Sequence, residues 1–105
     1  MSENLSKVDK FRAIANGLAD VYAKKNADYG DSFGKTWREL GIISGITRMN
    51  DKMNRIKSIG KKYAFGDMGS VQVTSEKLED TYIDMAAYAI MSIMELEEDK
   101  AGLPI

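Results

Sequence analysis

The stretch YIDMAAYAIMSIM, residues 82–94, places apolar and small side chains around nearly the whole circumference of a helix, and Asp84 is its only charged residue. A helix that is apolar all round is expected to be buried on all sides. A carboxylate in that setting has to be paired, hydrogen-bonded or bound to a metal, because an isolated buried charge is strongly unfavourable. Asp80 lies one turn earlier on the same face, so two like charges sit about 6 Å apart at Cβ. The cation that answers them is either a divalent metal or a basic stripe on a neighbouring helix.

Outward from this stretch, Thr74 or Ser75 is placed to cap the helix, with Glu76 and Glu79 favourably set in its first turns. It is expected to run to about Glu98, leaving 99–105 as a frayed tail. Upstream, GKKYAFGDMGSVQV, residues 60–73, breaks every helical period and predicts a loop or flap, with a short strand at SVQV. Before it, Ile42, Ile46, Met49, Met53 and Ile56 recur in an alternating four-three stripe, which predicts a helix over about Ile42–Lys61 with that stripe as its packing seam.

The opposite face of that helix carries Arg48, Asp51, Lys52 and Arg55. Antiparallel packing of the two helices would let Asp51 join Asp80 and Asp84, with the basic residues aimed at the same cleft. Three carboxylates with waters suit Mg²⁺ or Mn²⁺, and Asp51 and Asp84 are the candidate catalytic groups. Arg48, Lys52 and Arg55 would bind phosphate oxygens. The plainer alternative is that these charges form interhelical salt bridges or a solvated face.

Towards the N-terminus, Val8, Phe11, Ile14, Leu18 and Val21 predict an amphipathic helix over about Leu5–Asn26, after frayed residues 1–4. The loop NADYGDSFGK follows, Asp31 or Ser32 is placed to cap a short helix through about Leu40, and Gly41 breaks the pattern. Gly30 and the Gly34-Lys35-Thr36 run look like a phosphate-binding loop, but the spacing is one residue short and no strand precedes it. Lys35 is expected on the solvated face, and Trp37 and the methionines as core filler. The fold class is therefore all-α, a small bundle of three long helices plus a short one in a single domain over 1–105, assembled as a homo-oligomer.

Composition narrows the chemistry. Against 16 Asp+Glu stand 15 Lys+Arg, which offers no general attraction to duplex nucleic acid or a membrane surface. The absence of Cys and His removes disulfides, thiolate chemistry, imidazole catalysis and ordinary zinc sites. No signal-peptide core and no run of about 20 apolar residues is present, so a cytoplasmic protein is the expectation.

Three segments, KKNADYGDSFGKTWRELG, ITRMNDKMNRIKSI and LEDTYIDMAAYAIM, together resemble the small, largely phage-encoded family called nucleotide modification associated domain 1. The resemblance rests on a Lys-x-x-Asp-Tyr-Gly loop at Lys25–Gly30, an Arg-x-x-Asp-Lys-x-x-Arg helix at Arg48–Arg55 and an Asp-x-x-x-Asp-x-x-x-Tyr helix at Asp80–Tyr88. In size, helix count and acidic final helix the family is similar to the MazG-like all-α nucleoside triphosphate pyrophosphatases. The resemblance implies a Mg²⁺-dependent pyrophosphohydrolase of (deoxy)nucleoside triphosphates in phage nucleotide metabolism, working in the host cytoplasm as a dimer or tetramer. Asp84 carries over as the closing aspartate of that group's signature, whereas its Glu-x-x-Glu pair is missing and only Asp51 stands near the place. Asp28 and Tyr29 are candidates for base or sugar contacts. The alternative is a phage protein that binds or sequesters a nucleotide without turnover.

Overall fold

The structure is a computed structural model that describes residues 5–66 and 71–102, with side chains at 29 and 71–73 excepted. Four helices and no strand are present among the described residues: α1 (Lys7–Tyr29), α2 (Ser32–Leu40), α3 (Ile43–Phe65) and α4 (Val71–Ala101). The chain divides into two units, Met1–Ser32 and Phe33–Ile105.

The first unit is essentially α1. Ser6 caps it, its Oγ accepting from the Asp9 backbone N–H at 3.1 Å, which satisfies one of the four amides that the first helical turn leaves unpaired. Gly30 closes it with φ 71° and donates its N–H to the Asn26 carbonyl at 2.8 Å. The helix therefore runs to Tyr29 rather than Asn26, and the expected ten-residue loop shrinks to Gly30 and Asp31. Gly34, Lys35 and Thr36 lie inside α2, and the two residues left between α1 and α2 are too few to wrap a phosphate.

In the second unit α2 ends at Gly41, whose φ of 72° strongly favours a residue without Cβ. Its N–H reaches the Trp37 carbonyl, and its own carbonyl accepts from the amide and hydroxyl of Ser44. That turn delivers the chain into α3. Trp37, only 2% exposed, lies against the start of α3 and donates its indole N–H to Asp99 Oδ2 at 2.9 Å. A buried indole needs such a partner. Asp99 belongs to the segment that periodicity predicts to be frayed. Residues 99–101 are instead the last turn of α4, and 1–4 and 103–105 lie outside the described residues.

The α3–α4 contact is the main one. Gly45 meets Ser92 and Lys52 meets Asp84, so the two helices run antiparallel. Both are longer than periodicity predicts. Residues 60–65 extend α3, which Gly66 closes in an extended conformation, and 71–73 open α4, so helix replaces most of the expected flap and the described part of the SVQV strand; 67–70 lie outside the described residues. Gly60 costs a helix about 1 kcal/mol relative to Ala. The cost is offset by packing, since Gly60 is half-buried and Thr74 and Thr81 of α4 are buried. Thr74 thus sits inside α4 instead of capping it, and Thr81 satisfies its hydroxyl on the Lys77 carbonyl.

The seam itself is rotated from the expected one. Gly45 and Ile56 (8% exposed) are buried in it, while Ile42, Ile46 and Met53 stand exposed beside it. The cause is steric: a Cβ at residue 45 would lie 2.8 Å from both Ser92 Oγ and the Trp37 ring, so the backbone approach occurs there and not at the larger side chains. Likewise α4 is covered only on the side that faces α3 and α2. Tyr82, Ile90, Ile93 and Met94 remain exposed, and the all-round burial expected of this helix is not met within one chain.

Gly45→Ala should therefore destabilise the protein by about 1–3 kcal/mol, the usual cost of overpacking. A lower urea midpoint at unchanged slope is the expected result, because the Trp37 ring has no flexible end to move aside.

Candidate functional site

On one flank of the seam, charged and aromatic side chains from α3 and α4 meet. Arg48 and Lys52 are one turn apart on α3, and Asp84 and Tyr88 one turn apart on α4. Lys52 Nζ donates to Asp84 Oδ2 at 3.1 Å, with the two side chains 25% and 47% exposed. The cation that answers Asp84 within the chain is thus the basic stripe, and the carboxylate is half in solvent rather than enclosed. Such a pair contributes little to stability, about 0–1 kcal/mol.

Tyr88 gathers the cluster. Arg48 Cζ lies 5.8 Å and Lys52 Nζ 6.0 Å from its ring centroid. Each contact of this kind contributes about 0.5–1 kcal/mol when exposed. Phe33 of α2 packs on Tyr88 with centroids 5.6 Å apart at 48°, and on Trp37 at 6.0 Å. The buried tryptophan, Phe33, Tyr88 and the two cations form one continuous chain of contacts. The short helix α2 thereby holds the site as well as the core.

The remaining predicted residues form no ion pair or ring contact with this cluster among the described residues. Asp51 and Arg55 are exposed on α3 and Asp80 is exposed on α4. Among the described residues no group of three acidic side chains gathers to hold a cation. The carboxylates of one chain therefore do not fit an enclosed Mg²⁺ or Mn²⁺ site. Asp28 is exposed near the end of α1, and the side chain of Tyr29 lies outside the described residues. Lys35 is exposed on α2, on its solvated face.

A sequence model described as nucleotide modification associated domain 1 matches residues 25–96. The chain belongs to this family. No curated protein and no solved structure matches it. Within the nucleotide modification associated domain 1 match lie Phe33, Arg48, Lys52, Asp84 and Tyr88, so the matched segment contains the whole cluster. Asp99, the partner of Trp37, falls just beyond it.

Phe33 and Tyr88 are the members of the cluster that the site assignment leaves out. A signal for Tyr88 exists: Asp80, Asp84 and Tyr88 repeat every four residues on α4, as Arg48 and Lys52 do on α3, so two ladders face one another. Phe33 carries no comparable signal, since only the turn at Gly41 folds α2 back over α4.

Asp84→Asn keeps the shape and an acceptor for Lys52 while removing the charge. The expected change in unfolding free energy is below about 1 kcal/mol, as for an exposed pair. A loss above about 3 kcal/mol would mark Asp84 as an enclosed charge instead.

Proposed function

We propose that the polar flank of α3 and α4 binds the phosphates of a nucleotide, with Arg48, Lys52 and Arg55 as the phosphate contacts. The observation that carries this reading is the convergence of Arg48 and Lys52 on Tyr88, with Asp84 the one carboxylate that meets either of them among the described residues. Arg48 has no acidic partner there, so its planar fork of donors is available to a phosphate oxygen pair. Lys52 can exchange the half-exposed Asp84 for a phosphate at low cost. The family description supports a nucleotide as the bearer of those phosphates. The cytoplasm, of a host cell for a phage-encoded chain, is the proposed setting.

On this reading the protein binds or sequesters a nucleotide without needing a metal. The second reading is a Mg²⁺- or Mn²⁺-dependent pyrophosphohydrolase distantly similar to the MazG-like group, using Asp51, Asp80 and Asp84. Its support is that Asp80 and Asp84 occupy successive turns of α4. Because these carboxylates do not gather within one chain, no hydrolytic step is assigned to them.

Calorimetric titration with a panel of nucleoside and deoxynucleoside triphosphates, in EDTA and then in Mg²⁺, tests both. Binding in EDTA is the expected result. The double variant Arg48→Ala/Lys52→Ala should weaken it by at least about tenfold, from the loss of charge-assisted contacts. Pyrophosphate release that appears only with Mg²⁺ would move the assignment to the enzyme, and no heat with any nucleotide under either condition would overturn both.

A further inference from the structure

We infer that the other flank of α3 and α4 is a docking surface for a second copy of this chain, arranged so that each α3 lies against its partner's α4. The flank is an open groove of about 440 Å³ beside Trp37, lined by Ile46, Met49, Met53, Met85 and Leu96. The stripe is sustained along both helices. Ile42, Ile46, Met49 and Met53 recur on α3 at four-three-four steps, the spacing of a helix–helix seam. Across the groove, Tyr82 and Ile93 continue the apolar surface of α4; Ile46 is 54% and Ile93 55% exposed. Contiguous apolar surface of this kind marks an interaction site.

Charge at its edges selects the partner. Beyond the apolar stripe, the outer edge of α3 carries Lys57 and Lys61, and the outer edge of α4 carries Glu76 and Glu79, all four exposed. None of them has an ionic partner within the chain among the described residues. The contact of Lys52 with Asp84 fixes the relative height of the two antiparallel helices. Lys57 lies about one and a half turns past Lys52, and Glu79 the same distance before Asp84, so both stand at one level, with Lys61 and Glu76 level with each other about one turn further on. A two-fold axis parallel to the helices and passing through the groove preserves these levels. It sets Lys57 and Lys61 of each copy against Glu79 and Glu76 of the other while the two apolar stripes close on themselves. A dimer that paired like helices would separate these charges. The inference is independent of the nucleotide reading.

Light scattering on the eluting protein at micromolar concentration should give twice the chain mass. Two charge-reversed variants, Lys57→Glu/Lys61→Glu and Glu76→Lys/Glu79→Lys, should each associate more weakly by about tenfold or more, with circular dichroism unchanged. Mixed in equal amounts they should recover a heterodimer, because every edge contact is then again between opposite charges. A monomeric wild-type protein, reversed variants that dimerise like it, or a mixture that stays monomeric would each overturn the arrangement.

Discussion

The close approach of Gly45 to Trp37 and Ser92 is the constraint from which the rest of the second unit follows. An indole buried at 2% exposure, with its N–H satisfied by Asp99, occupies a fixed volume between α2, α3 and α4. Only a residue without a side chain lets α3 pass beside it. Once Gly45 sets the line of contact, the rotation of α3 is determined. Ile56 goes into the seam, Ile42, Ile46 and Met53 fall to one side, and Arg48 and Lys52 to the other. Helix periodicity then converts one steric requirement into two flanks of opposite character.

The polar flank is assembled from weak interactions. The Lys52–Asp84 pair is partly solvated, and the two cations over Tyr88 are near the outer limit of distance for such contacts. Little folding free energy is invested in it, which leaves the charged groups able to change partners without loosening the seam. Stability comes from the aromatic chain Trp37–Phe33–Tyr88 and from the antiparallel pair behind it. Separation of support from contact groups is what a ligand site on rigid helices needs.

Much of this was legible in the sequence, and the failures have specific causes. The all-helical class follows from the spacing of apolar residues and the near absence of proline, and the helix break at Gly41 from its place after Leu40. The pairing of Asp84 with the basic stripe was one of two alternatives left open by an isolated carboxylate. Three things were not legible. Local propensity marks Gly60 and Val71–Val73 as breaks, but α3 and α4 continue through them. The four-three stripe on α3 reads as the seam, yet a single glycine beside a tryptophan displaces the contact by part of a turn. The solvated state of Asp84 could not be read from its apolar neighbours, because sequence counts neighbours along the helix and exposure depends on which of its sides another helix covers.

Because the seam lies between the polar cluster and the apolar groove, the hairpin of α3 and α4 is also a partition. Among the described residues no ion pair or ring contact joins the charged cluster to the groove except through Trp37, and substitutions without shared partners combine nearly additively. Variation on the charged side can therefore accumulate without disturbing the apolar side, and the reverse. The exception is Trp37, which touches the groove directly and the cluster through Phe33, so a change there would be felt on both sides at once.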